Sequence, residues 1–374
     1  MPQDRLAQPA DLPDCYPGLM LAALLLLAGA APSLAASFGL SAPMTSAPGL
    51  VVSLSAPALP ASALSPTITL TPSLAPLAAP SIAALPLAQA AQPGAQASNL
   101  GNAGAPKASV AASKGRVILV QDFSSSLLGN SRTVAVYLPP GYDASHARYP
   151  VLYAQDGQNL FDPNTAYGGV DWGLAETCDR RIAAGEMAPA IIVAPYNTDQ
   201  RMSEYSPVPD PQYGGGRGDL YGRFLAEELK PWIDARLRTR PEPAQTAIMG
   251  SSLGGLISLH LALTRPDVFS RAGIVSPSLW WADEDILRRA AFDAMPSPRP
   301  RIWADMGTRE GDAPAEQAKN VERLQALGAT LAGRGWTSGA DLSTRVFDGA
   351  GHNESSWRAR VGLVLKFLFP PDPR

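Results

Sequence analysis

Residues 246–263 read TAIMGSSLGGLISLHLAL, and the reading of this stretch decides the fold. Thr246–Met249 is a short apolar run, as expected of a strand covered on both faces. Leu253–Leu263 has a helical pattern. Between them stands Gly250-Ser251-Ser252-Leu253-Gly254, a G-x-S-x-G. Ordinary Gly and Ser frequencies give roughly 0.1–0.2 chance matches in a chain of this length, so the pentapeptide alone says little. Its position directly after a strand and directly before a helix says more. A nucleophile elbow needs that context: the serine sits on a strained turn, and small neighbours let strand and helix approach. The hydroxyl then projects above the sheet edge, and the N–H of Leu253 faces the same space. The bland alternative is a glycine-rich turn with a buried serine.

The flanking sequence repeats this alternation. Strand-like runs fall at Val117–Val120, Thr133–Leu138, Val151–Ala154, Ala190–Ala194, Ala272–Val275, Arg301–Ala304 and Thr344–Phe347. Helical patterns fall at Leu220–Arg236, Asp283–Ala291, Ala315–Ala332 and Ser355–Phe369. Pro231 is expected to kink or split the first of these. Strands alternating with helices predict an α/β fold with a mostly parallel central sheet and helices on both faces. The first two or three strands, joined by short connections, are expected to be antiparallel.

A serine hydroxyl needs a base, and the chain has three histidines, His146, His260 and His352. His146 lies in a polar loop. His260 is on the elbow helix, about 12 Å along its axis from Ser252 by helix rise, and packing is its expected role. His352 follows a strand and a glycine turn, so it belongs on a loop at the sheet edge. The acid that orients it should lie after the preceding strand. Asp305, Glu310 and Asp312 are the choices, and spacing alone leaves them open. The turn Asp156-Gly157-Gln158-Asn159, after the strand VLYAQ, offers a second oxyanion N–H, that of Gln158, beside that of Leu253.

Together these segments resemble the α/β-hydrolase esterase family that includes enterochelin-type siderophore esterases, esterase D and feruloyl esterases. The resemblance rests on VYLPPGYD (136–143), YPVLYAQDGQNLFD (149–162), RMSEYSPV (201–208), YGRFLAEELKPWID (221–234), the elbow, IVSPSLWW (274–281), DMGTREG (305–311) and GAGHNESSW (349–357). It implies an α/β-hydrolase fold, Ser252 as nucleophile, His352 as base, and Glu310 as acid from its place in GTRE. It implies oxyanion donation by Gln158 and Leu253, and no metal or organic cofactor. Asp156 stands where many α/β hydrolases have histidine, and agrees with the siderophore-esterase branch. Arg201, Glu204 and Tyr205 are expected near the acyl or alcohol pocket. Trp280 and Trp281 are expected beside it, one as an aromatic wall and the other packed. Arg201 and Arg217 are the candidates to hold an anionic ligand.

Composition separates this region from what precedes it. No Asp, Glu, Lys or Arg stands between Asp14 and Lys107. Within that gap, 19–31 (LMLAALLLLAGAA) is too short for a bilayer span of about 20 residues. Pro32 and small residues at Ser33, Ala35 and Ala36 follow, as after the core of a secretory signal. The expectation is a signal peptide or apolar leader over 1–36, an Ala/Pro/Ser/Leu-rich disordered linker over 37–113, and the esterase domain over 114–374. Export to the periplasm or medium is expected, with a cytoplasmic location as the alternative because no Lys precedes the apolar run and only Arg5 is basic there. Cleavage near Ala36 would remove Cys15 and leave Cys178 alone, half-buried on a helix.

A net charge of −3 gives no basic field for nucleic acid. The two cysteines form neither a disulfide framework nor a zinc motif. The expected partner is a small-molecule ester, with no membrane span in the mature domain. Acyl transfer to a sugar or lipid alcohol and a silent binding module are the rival readings.

Overall fold

The structure is a computed structural model that describes residues 114–371. The expected leader, linker and Cys15 lie outside the described residues. Ten strands occur among them. They are β1 (Arg116–Ser125), β2 (Asn130–Leu138), β3 (Val151–Ala154), β4 (Ile191–Pro195), β5 (Pro209–Asp210), β6 (Gly214–Gly215), β7 (Thr246–Ser252), β8 (Arg271–Pro277), β9 (Arg301–Arg309) and β10 (Leu342–Gly351). The α-helices are α1 (Leu174–Ala183), α2 (Arg201–Glu204), α3 (Gly218–Arg223), α4 (Lys230–Arg236), α5 (Leu253–Thr264), α6 (Trp281–Phe292), α7 (Pro314–Gly333) and α8 (Glu354–Leu368).

Eight strands form one sheet in the order β1-β2-β4-β3-β7-β8-β9-β10. β1 and β2 are antiparallel to their neighbours, and from β4 to β10 every pairing is parallel. The expected antiparallel start is therefore confined to two strands. β5 and β6 form a small separate ribbon.

The period of two along each strand feeds two cores. On β2, Val134, Val136 and Leu138 enter one core, and Ala135 and Tyr137 enter the other. On β9, Ile302, Ala304 and Met306 oppose Trp303 in the same way. The first core is covered by residues of α3 to α7, among them Tyr221, Ile233, Leu256, Ile286 and Leu327. The second is covered by α1 and α8 through Leu174, Cys178, Trp357, Val361 and Leu365. Cys178 is more buried than expected, at 1% exposure, because it faces the sheet and not the helix flank. Burial pushes its thiol well above the ordinary range.

Pro231 does not split its helix. A π-helical stretch, Phe224–Leu229, joins α3 to α4, and Pro231 sits in the first turn of α4. The wider turn accommodates the missing N–H and the clash that proline imposes on the carbonyl four residues back. Just beside it, the Glu228 carboxylate accepts from Ser126 N (3.0 Å) and Leu127 N (3.2 Å), which pins the β1–β2 hairpin to this helix. Among the described residues no helix is long and apolar enough to cross a membrane.

Candidate active site

The elbow is built by close backbone approach. Ser252 ends β7 with φ 58° and ψ −125°, a conformation that costs a non-glycine residue about 1–3 kcal/mol. A Cβ on Gly250 would lie 2.6 Å from the carbonyl carbon of Gly254, so only glycine lets β7 pass α5 here. The loop after β8 adds a second tie, Ser278 N–H to Ser252 C=O at 3.1 Å. Ser252 is partly exposed, and its Oγ lies 3.3 Å from Ser278 Oγ.

Ser252, His352 and Glu310 line one cavity of about 260 Å³, together with Ser276, Ser278, Trp280, Met306 and Asp312. His352 stands on the loop between β10 and α8, with its Nδ1 2.9 Å from Glu310 Oε2. Its ring meets Trp357 edge-on, with centroids 5.1 Å apart. Asn353 caps α8 by accepting from Ser356 N at 2.9 Å, which fixes the chain just after the histidine. No hydrogen bond joins His352 to Ser252 among the described residues.

Of the three acidic choices, Glu310 alone is hydrogen-bonded to His352. It is 1% exposed. Its Oε1 accepts from Ser276 Oγ (2.6 Å) and Gly307 N (2.6 Å). Burial pushes this carboxyl up, but His352, Ser276 and the Gly307 N–H outweigh it and hold it below the usual range. Asp305 points elsewhere, to Trp303 Nε1 (2.6 Å) and Arg360 Nε (3.0 Å). Burial pushes it up to about 6, against the pull of Arg360 and Trp303. Asp312 is exposed at the rim.

The Asp156 turn packs against the elbow. Asp156 has φ 56°, and a Cβ on Gly157 would lie 2.1 Å from Ala194 O, which requires glycine there. A Cβ on Gly254 would meet Gln155 and Asp156 at 3.1 and 3.3 Å. Gln158 follows in this turn, with its side-chain Oε1 accepting from Asn197 N at 3.2 Å. The N–H of Leu253 opens α5 beside Ser252. Leu253 and Gln158 are not among the residues that line the cavity.

The expected pocket residues divide sharply. Trp280 is 37% exposed and lines the cavity. Trp281 does not: it is 2% exposed and donates Nε1–H to Val208 O at 2.8 Å. Glu204 is fully buried in a two-pronged pair with Arg132, at 2.8 and 2.9 Å. Tyr205 is fully buried, and its Oη accepts from Asp156 N at 3.2 Å. Trp281 is thus the packed member of the tryptophan pair, and Glu204 and Tyr205 are packed inside, contrary to the expectation that they line the pocket. The loop after β4 does turn to the correct sheet edge, but α2 points these side chains inward. Arg201 is committed to Asp156, with Nε–Oδ1 at 2.7 Å and Nη2–Oδ2 at 2.9 Å. Burial lowers its pKa, but Asp156 more than offsets this and holds it above the ordinary value. Arg217 is exposed.

His260 packs in the interior, 2.7 Å from Asp219 Oδ1. His146 is exposed. Sequence reasoning missed Ser276, Ser278, Trp357 and Arg360. The two serines were visible in IVSPSLWW, next to the tryptophans. Nothing local marked Trp357 and Arg360, which come from a helix otherwise typical of a sheet cover.

A strained serine at a strand end, with a histidine and a buried carboxylate on later loops, defines the hydrolase class. The family model described as "Putative esterase" matches residues 124–365, and the chain belongs to this esterase family of carboxylic ester hydrolases. The uncharacterised Bacillus subtilis protein YbbA is 24% identical over 246 residues, covering 64% of this chain and 93% of YbbA. A siderophore enterobactin esterase of Emericella nidulans is 37% identical over 184 residues, 45% of this chain and 60% of that protein. A solved IroE-like serine hydrolase of Shewanella oneidensis superposes with a TM-score of 0.55 at 22% identity, covering 68% of this chain and 79% of its own. The fold is that of α/β-hydrolase esterases.

Proposed function

We propose that the protein is a serine esterase working through an acyl-serine intermediate. The observation that carries this is the His352–Glu310 pair in one cavity with Ser252 on its strained turn. In the forward step Ser252 Oγ exchanges its contact with Ser278 for one with His352 Nε2, as catalytic hydrogen bonds often tighten only with substrate bound. His352 takes the hydroxyl proton while Oγ attacks the ester carbonyl. Glu310 stabilises the imidazolium that forms. The Leu253 and Gln158 amides receive the oxyanion, at about 3–4 kcal/mol per donor in a well-measured case. His352 then protonates the leaving alcohol, and later activates the water that frees the acid. The chemistry draws only on side chains and backbone amides.

The substrate we propose is siderophore-esterase-like, a small ester with a flat group for the exposed face of Trp280. Relatives named as a feruloyl esterase and an enterobactin esterase support this reading. Ser252→Ala should abolish turnover of p-nitrophenyl butyrate and fluorophosphonate labelling while the melting transition is kept. Retained turnover would sink the mechanism. A panel of catecholate, feruloyl and acetyl-sugar esters then ranks the substrates. We also propose export, on the apolar run at 19–31 and the small residues that follow.

A further inference from the structure

A buried cation under Glu310 has no part in the scheme above. Arg360, on α8, is 3% exposed. Its Nε donates to Asp305 Oδ1 at 3.0 Å, and its Nη2 donates to Glu310 Oε1 at 3.2 Å and to Ser276 Oγ. Ser276 Oγ also accepts from Trp357 Nε1 at 2.9 Å. Two N–H donors therefore occupy both acceptor positions of this hydroxyl. Its single proton is left to point at Glu310 Oε1, where it lies 2.6 Å away. Oε1 is also held by the Gly307 N–H at 2.6 Å. Oε2 is thereby the oxygen turned to His352.

Two buried carboxylates, Asp305 and Glu310, share this one guanidinium. Without a cation, two such groups do not both ionise in a buried site. The other charged or titratable groups around this site are His352, from the loop after β10, Asp312 and Glu316, which line the same cavity, and Glu354, in the first turn of α8, which feels the charge of His352. Asp156 and Arg201 act on Glu354 from the β3 and β4 side.

We propose that Arg360 is a positioning residue of the catalytic site. Directly and through Ser276, it keeps Glu310 ionised and rotated so that Oε2 meets His352 Nδ1, while Asp305 anchors the guanidinium from below. The proposal rests on the serine-esterase reading. Asp305 and Glu310 fare differently. Burial dominates at Asp305 and pushes it up to about 6, with Arg360 drawing it down, whereas at Glu310 burial is outweighed by His352, Ser276 and the Gly307 N–H, and the carboxyl stays below its ordinary range.

The test is the pH dependence of kcat for the full chain and its Arg360→Met, Arg360→Lys and Ser276→Ala variants, with melting curves for each. For Arg360→Met, kcat at pH 7 should fall by roughly 10- to 100-fold, reaching at most the lower end of the roughly 10²–10⁴-fold that a general acid–base group itself contributes. KM should change by less than about twofold, since Arg360 does not line the cavity. The acid limb of the profile should move to higher pH, because Glu310 holds its proton longer beside Asp305 without a cation. Arg360→Lys keeps the charge and should recover part of both kcat and the limb. A folded Arg360→Met enzyme with the wild-type profile overturns the proposal, and so does a uniform loss that lysine does not relieve. Should the methionine variant fail to fold, Ser276→Ala carries the test, with a smaller shift in the same direction. Turnover that survives in Ser252→Ala marks failure of the esterase mechanism itself, separately from the role of Arg360.

Discussion

At Glu310, an ionised acid is held in the protein interior by partners from four parts of the chain. They are Ser276 of β8, Gly307 of β9, His352 after β10 and Arg360 of α8. Glu310→Gln leaves the volume nearly unchanged but removes the charge that stabilises imidazolium. Its kcat should fall toward the roughly 10⁴-fold loss measured when a triad acid becomes an amide elsewhere. Asp312→Asn, at the exposed rim, should keep kcat within about threefold, a change typical of surface positions. Comparable losses for both variants would reassign the acid. The sequence marked this position only through its likeness to relatives. Spacing left Asp305, Glu310 and Asp312 equal, because what separates them is distant in the chain. Arg360 and Trp303 claim Asp305, solvent claims Asp312, and His352 takes the one that remains. Ser252 and His352 were legible for a different reason: their neighbours must be glycines or turn residues, and those requirements are local.

Among elements, the segment after β4 shows how a correct placement can carry a wrong role. RMSEYSPV stands at the sheet edge that bears the elbow. Its short helix α2 turns Glu204 and Tyr205 into the protein, where they brace β2 and the Asp156 turn. Side-chain direction over one helical turn depends on a tertiary contact, the Arg132 guanidinium of β2, and no period in the sequence reports it. Glu204→Ala should therefore behave as a stability variant. Leaving Arg132 buried without its partner costs about 3–5 kcal/mol. KM and kcat of the fraction that stays folded should be near wild type. A large rise in KM at unchanged melting temperature would return Glu204 to the substrate pocket. The strands were legible because runs such as IIVAP and TAIM are apolar on both faces. The β5–β6 ribbon was not, since two residues per strand leave no pattern. The continuous helix through Pro231 was not either, because a π-helical turn has no signature in composition.

For the whole chain, the charge-free segment before Lys107 and the folded unit from residue 114 suggest different tasks, delivery and chemistry. If the proposed export is correct, the enzyme recovered outside the cytoplasm should begin near residue 37 and lack Cys15. N-terminal sequencing of the fluorophosphonate-labelled protein from fractionated cells checks this. An intact Met1 in the cytoplasmic fraction would reject it.

The order in which the site is assembled along the chain has its own result during synthesis. The proposed nucleophile arrives on β7, the proposed acid just after β9, and the proposed base only after β10. The helix α8, which supplies Trp357 and Arg360, ends at Leu368. Under the proposed mechanism, the ribosome must therefore deliver the chain through α8 before the site is complete. Until then Ser252 lacks the partners that the proposed mechanism requires. On that mechanism, a nascent chain that has not yet delivered α8 carries no active esterase in the compartment where it is made.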